Sequence, residues 1–163
     1  MTPPDPVTIE AVDPDAGPAR AILRAYYEDI VSRYHGRPVA DEELTPALDE
    51  WPSDALAPPT GLLLVARRGD DPLGCAGLRL LPDAIGEVTR LYVRPEARGR
   101  GVGERLMREL EARARGLGVR VLRMDTRRDL TEAQRLYLRV GYEDAAPFND
   151  EPYADRWFAK TLE

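Results

Sequence analysis

Residues 94–106 read "RPEARGRGVGERL": Gly99, Gly101 and Gly103 alternate with Arg98, Arg100 and Val102, just ahead of an apolar stripe. Glycine costs about 1 kcal/mol against alanine inside a helix, so three of them at a helix start must answer a need for bare backbone. A helix N-terminus offers unpaired N–H groups and the positive end of the helix dipole, which together suit a phosphate. Glycine removes the side chain that would hold a bulky anion off that backbone, and flanking guanidinium groups add charge and paired donors. The chemistry indicated is the binding of a phosphorylated ligand, most simply a pyrophosphate.

Two common phosphate loops can be tested against this stretch. A P-loop requires Lys and Ser/Thr after its glycines, whereas Glu104 and Arg105 follow Gly103. The dinucleotide fingerprint comes closer, because Asp125 lies 22 residues beyond Gly103. Its third glycine, however, would fall at Glu104 or Leu106, and too little chain follows the loop for a doubly wound sheet. Other chemistries find little support. Ser32 and Ser53 are the only serines and neither sits in G-x-S-x-G; Cys75 and His35 are the only residues of their types. An internal disulfide and a Cys/His zinc site are thereby excluded.

The elements that must carry the loop are legible from periodicity. "VTIEAV" (7–12) alternates as a strand. "PARAILRAYYEDIVSRYH" (18–35) has helical spacing through Ala21, Ile22, Ala25, Tyr26, Ile30 and Val31, and "DEELTPALDEW" (41–51), with Asp41 as cap, predicts a short second helix. Segments 62–68, 73–81 and 86–93 are apolar and separated by "GDDP" and "PDAIG", which predicts an antiparallel meander. Val102, Leu106, Leu110, Ala114 and Leu117 step as a helix ended by "GLG"; "VRVLRMD" (119–125) is a strand; "TEAQRLYLRVG" (131–141) is a helix with Thr131 as N-cap; "RWFAKTL" (156–162) is a last strand. The order β-α-α-β-β-β-α-β-α-β, with no repeat and no long linker, predicts one domain over residues 1–163, residues 1–6 forming a disordered tail.

The chain of 163 residues has a net charge of −6, which speaks against a general nucleic-acid binder. That charge is unevenly spread: residues 98–139 hold twelve arginines and six acids, leaving the rest strongly acidic. No apolar run approaches the ~20 residues of a membrane span, and "MTPPDPVTIE" lacks the basic and apolar regions of a signal peptide. A cytoplasmic protein without a membrane partner is expected.

Arg98-Gly99-Arg100-Gly101-Val102-Gly103 matches the motif [RQ]-x-x-G-x-[GA], and "AQRLYLRVGYED" (133–144) follows some thirty residues on. In these motifs, their separation and the element order over roughly 7–162, the sequence resembles the GNAT superfamily of acetyl-CoA-dependent N-acetyltransferases. The resemblance implies an α/β (α+β) fold: a mixed, mostly antiparallel central sheet of six to seven strands, helices on both faces, splayed between strands four and five. It implies that Arg98, Gly99, Arg100, Gly101, Val102, Gly103 and Glu104 hold the pyrophosphate of acetyl-CoA. It implies further that Leu91, Tyr92 and Val93 offer main chain to the pantetheine arm and a backbone N–H to the thioester oxygen.

By the same resemblance Glu87 is the general base and Tyr137 the general acid, with Asp125 as the second candidate base. On spacing alone, Glu87 is a glutamate at a strand start and Tyr137 belongs to the apolar stripe Ala133, Leu136, Val140. One departure from the pattern is "TRRDLTEA" (126–133), which lacks the cofactor-contacting Asn of many members; Thr126, Arg127 and Arg128 are the alternatives there. The implied activity is acetyl transfer to a primary amine, of a small molecule, by direct attack in a ternary complex. The alternatives are a protein or peptide amine acceptor, or a non-catalytic acyl-CoA-binding module. No metal is expected, and the chain is expected to be a monomer or homodimer. Acidic segments such as "YYEDI" and "DAAPFNDEPYAD" lie in the regions that determine substrate in this superfamily, which favours a cationic amine.

Overall fold

The structure, a computed structural model, describes residues 6–50 and 52–163. Most of the expected N-terminal tail, and Trp51 at the end of the second expected helix, lie outside the described residues. Seven strands form a single open sheet in the order β1-β2-β3-β4-β5-β7-β6. β1 (Val7–Ala11), β2 (Gly61–Arg68), β3 (Asp71–Leu81) and β4 (Ile85–Val93) run antiparallel as a meander. β5 (Val121–Thr126) lies parallel to β4, and β7 (Arg156–Thr161) pairs antiparallel with β5 along its whole length. The two-residue β6 (Glu143–Asp144) closes the far edge against β7, which thus inserts between two strands that precede it in sequence.

Helices cover both faces, which is why β2 reads as a continuous apolar run rather than alternating. Leu62, Leu64 and Ala66 join one core cluster with α3 (Val102–Gly116) and α4 (Thr131–Arg139). Leu63 and Val65 join a second with α1 (Gly17–His35), whose Ala19, Ile22 and Leu23 are buried. The short α2 (Asp41–Glu50) packs beside α1 through the buried Leu44. On α3 the buried residues Val102, Leu106, Met107, Leu110 and Ala114 make the stripe that the 3.6-residue period predicts. Full burial of Leu106 and Leu110 contributes about 1.5–3 kcal/mol each.

Capping departs from expectation. α4 begins at Thr131 with Leu130 in the cap position and no side-chain cap bond; α2 likewise begins at Asp41 itself. Gln134 instead secures the entry to α4, its Nε2 donating to the carbonyls of Arg127 (2.8 Å) and Arg128 (3.0 Å). Among the described residues no helix is long and apolar enough to cross a membrane.

Lys160, the only lysine, fastens β7 to two helices. Its Nζ donates to both carboxylate oxygens of Glu111 on α3 (3.0 and 3.2 Å) and to the carbonyl of Val140 just past α4 (2.7 Å). Glu111 is 5% exposed, so removing its cation strands a buried charge. Lys160→Met is expected to cost about 3 kcal/mol in urea unfolding, and adding Glu111→Leu should recover most of it. A single-variant loss below ~1 kcal/mol, or no recovery in the double variant, contradicts this account.

Candidate active site

One turn of 3-10 helix, Pro95–Ala97, carries the chain from β4 to the glycine loop. Gly99 (φ +76°) and Gly101 (φ +79°) take the left-handed conformation that side chains disfavour, and a Cβ added at either would meet no atom within 4 Å. The space above the loop is therefore open. The first intrahelical bond of α3 runs from Arg105 N–H to the Gly101 carbonyl (3.0 Å), so the N–H groups of Val102, Gly103 and Glu104 have no acceptor within the helix. An open left-handed cradle backed by free N–H groups fits a phosphate. Gly103 has a different reason to be glycine: a Cβ there would stand 2.9 Å from Leu136 Cδ2, so its absence lets α3 close onto α4.

The two arginines of the motif divide. Arg98 Nε donates to the Val93 carbonyl (2.9 Å), and its guanidinium stacks over Tyr92 (5.9 Å) and lies 3.8 Å from Glu132. It fastens the loop to the end of β4. Arg100 is exposed at the cradle, and Glu104 pairs with Arg108 (2.8 Å) along the helix.

β4 and β5 pair only from Ile85↔Val121 to Glu87↔Arg123; beyond that, Val88–Val93 have no partner strand on this side. Opposite β3 the pairing jumps from Cys75↔Tyr92 to Gly77↔Thr89, so one residue of β3 faces two of β4. Arg90, at φ +54°, occupies the bulge. The bulge points Arg90 across a cavity of about 650 Å³, where its guanidinium donates to Thr89 Oγ1 (3.1 Å) and to the Pro52 carbonyl (3.2 Å) and lies over the Tyr27 ring. Tyr92 is buried against the α1 layer, edge-on to Tyr26 (6.1 Å), while Leu91 packs towards the α3 core. Leu91, Tyr92 and Val93 thus face the gap with their main chain.

The cavity runs through that gap. Tyr26, Tyr27 and Tyr34 of α1 line it from one side of the sheet, and Ala133 and Tyr137 of α4 line it from the other. Glu87 lies on its floor, 3.7 Å from Arg79. Because Glu87 pairs with Arg123, and Asp125 is two residues further on, all three share one face of the sheet. Burial raises the Glu87 carboxyl above its ordinary value and Asp125 adds to the rise, against Arg79, Arg123 and Arg90. Tyr137 is 6% exposed, its ring set against Phe158 (5.6 Å) and Tyr142 (6.0 Å). Burial, then Asp125, pushes its phenol upward, so it stays protonated across the working range.

The family model for the acetyltransferase (GNAT) family matches residues 22–142 of this sequence. The chain belongs to the GNAT family. Its acyl donor is acetyl-CoA, as in other GNAT acetyltransferases. A Schizosaccharomyces pombe protein described as an uncharacterized N-acetyltransferase is 32% identical over 69% of this GNAT and 67% of its own length. The IAA acetyltransferase of Azospirillum brasilense is 36% identical over 60% of this chain and 63% of that protein, just under two thirds of it. Among solved structures, the PaiA N-acetyltransferase of Thermoplasma acidophilum, in complex with coenzyme A, superposes with a TM-score of 0.74 at 19% identity, covering 96% of this GNAT and 99% of that chain.

Glu87, Tyr137 and Leu91 thus line one cavity where β4 and β5 part, and the glycine loop follows the end of β4 after one turn of 3-10 helix. Two features of this GNAT had no local signal. Arg90 is an ordinary strand residue by pattern, and only its φ sets it apart. The partner of Asp125 is Asn149 (2.8 Å), whereas Arg123 stacks on Phe148 (4.3 Å) and Arg127 chelates Asp129. Cys75, by contrast, serves packing as its apolar strand suggests: it is fully buried, its thiol pushed up to about 12.

Gly101→Ala forces a side chain into a left-handed position at about 1–2 kcal/mol and fills the open cradle. Titration calorimetry should show at least tenfold weaker binding of coenzyme A. Gly116→Ala, in the last turn of α3 with nothing within 4 Å, should leave binding unchanged. Equal affinities in the two variants would remove the loop from the site.

Proposed function

We propose that this protein transfers the acetyl group of acetyl-CoA to a primary amine of a small molecule by direct attack in a ternary complex. The observation that carries this reading is the shared cavity: a glutamate on the sheet and a tyrosine on α4 line the same space where β4 and β5 part. Acetyl-CoA supplies an acetyl group activated as a thioester. Gly99, Gly101 and the N–H groups of Val102, Gly103 and Glu104 hold its pyrophosphate, with Arg98 bracing the loop and Arg100 adding charge. The unpaired edge of β4 at Leu91, Tyr92 and Val93 takes the pantetheine arm as an added strand, and an N–H of that segment donates to the thioester oxygen.

The acceptor enters mostly as an ammonium, since an ordinary amine titrates near ~10. Glu87 takes the proton, and its raised affinity for protons makes it a better base than an exposed glutamate. The C–N bond forms, the C–S bond breaks, and Tyr137 donates to the departing sulfur. A cavity of about 650 Å³ fits the arm and a compact acceptor, and Glu151 and Tyr153 line it, with Tyr153 edge-on to Tyr34 of α1 (5.4 Å), which supports a small molecule over a peptide laid along an open groove.

Thiol release from acetyl-CoA against a panel of primary amines tests the reading. Tyr137→Phe should lower kcat at least tenfold, and Glu87→Gln about a hundredfold. In the wild type kcat should rise with pH through a value above the ordinary glutamate range, because the base works only once deprotonated; Glu87→Gln should lose that limb. The same shift has a stability sign. A carboxyl with a raised folded pKa contributes below its unfolded pKa, and that contribution is gone above its folded pKa, so at pH 8 Glu87→Gln should melt higher than wild type while turning over far less. Coenzyme A binding without thiol release from any amine favours a binding module instead.

A further inference from the structure

Within the cavity, Asp125 is held by a neutral donor rather than by a cation. The cations on the walls are engaged: Arg79 with Glu87, Arg127 with both carboxylate oxygens of Asp129, Arg90 with Thr89 and Pro52. Asp125 receives a neutral amide donor, Asn149 Nδ2 at 2.8 Å, and among the described residues no cation lies within ion-pair distance of it. Its carboxylate is fixed in place with its charge uncancelled, and most of its lone-pair sites remain for a ligand.

The bracket that fixes it is rigid. Asn149 Oδ1 accepts from the Trp157 indole N–H (3.0 Å) and the Glu151 backbone N–H (3.3 Å). Two donors on that oxygen decide which way the amide points, so its NH₂ must face Asp125. Trp157 is also the cross-strand partner of Asp125, which ties the bracket to the β5–β7 ladder. The remaining walls include Tyr26, Tyr27, Ile30, Val31 and Leu56, apolar bodies with a few hydroxyls.

We propose that Asp125, positioned by Asn149, docks the acceptor's ammonium, and that the acceptor carries this group on an apolar or aromatic body without a carboxylate. The proposal rests on the acetyl-transfer reading and deepens it. Asp125 is a substrate-binding residue; Asn149 is a positioning residue that touches only Asp125 and its neighbours. Glu87, on the same sheet face, then receives the proton from an amine held beside it.

Phenethylamine is the probe, with phenylalanine as its carboxylated counterpart, in calorimetric titration of the full chain saturated with coenzyme A. Wild type should bind phenethylamine at least about tenfold more tightly than phenylalanine. Asp125→Asn should weaken phenethylamine at least tenfold and Asp125→Glu should restore most of it. Asn149→Ala should raise the KM for phenethylamine several-fold while kcat and the KM for acetyl-CoA stay within twofold, a split that general loosening of the fold does not produce. The proposal is overturned if wild type does not bind phenethylamine, if phenylalanine binds as well, or if Asp125→Asn or Asn149→Ala behaves as wild type. Binding that depends on Asp125 without any thiol release overturns the transferase reading and leaves the docking intact.

Discussion

The parting of β4 from β5 is the constraint on which the rest of this structure depends. Six residues of β4, Val88–Val93, give up ladder partners on one side, and unpaired backbone groups in a protein interior are costly unless something else satisfies them. The fold holds the strands apart from both flanks. β3 grips β4 through the bulge at Arg90, and β7 grips β5 along all six of its residues. Neither strand can swing across to close the gap without breaking a ladder already made. The gap also lets residues from opposite helical layers meet, since without it Tyr137 on α4 would sit behind the sheet from Tyr26 and Glu87.

Charge in the middle of the chain is arranged more for architecture than its sum suggests. Of the arginines in residues 98–139, Arg98 braces the loop, Arg108 and Arg113 pair with glutamates one turn before them on α3, Arg123 stacks on Phe148, and Arg127 chelates Asp129. Each such pair on the surface is worth little by itself. What the arrangement leaves at the phosphate cradle is a backbone feature, left-handed glycines and helix N–H groups, with Arg100 as the exposed charge. A main-chain site of this kind does not depend on holding long side chains in one rotamer, whose entropy would otherwise be lost on binding.

How far the sequence discloses this depends on the range of the forces involved. The stripe of α3, the meander and the αL glycines follow from local periodicity and steric rules, and they appear where the pattern puts them. β7 inserting between β5 and β6 depends on pairings some fifteen to forty residues apart, to which no window of alternation is sensitive. The helix start at Thr131 shows the same limit: the helix begins at Thr131 itself with Leu130 in the cap position, and the loop before it is held by Gln134 Nε2 donating to the carbonyls of Arg127 and Arg128. At the site, Glu87 and Tyr137 are ordinary by spacing and stand out only through the motifs around them. Asn149 stands out through neither; it matters because the β5–β7 register carries Trp157 and the chain before it alongside Asp125.

That placement gives Asp125 an effect at once on the two groups proposed to move protons. Its negative charge raises the proton affinity of Glu87, which helps a base, and that of Tyr137, which hinders an acid. Burial is the larger cause of the tyrosine's rise, and Asp125 adds to the cost of a donation that is already uphill for a phenol near ~10 against a thiol near ~8.5. An ammonium docked on Asp125 would offset the share of the rise due to that charge and leave the share due to burial. Were Glu87 then to take the amine's proton, the local charge count would be unchanged and the phenol would keep that benefit as the C–S bond breaks. On this physical reasoning an acceptor in place would make the tyrosine a better acid without removing the cost that burial imposes. Water brings no positive charge to Asp125 and would leave that share in place, so a carboxylate that seated the amine would also weigh against hydrolysis of the thioester.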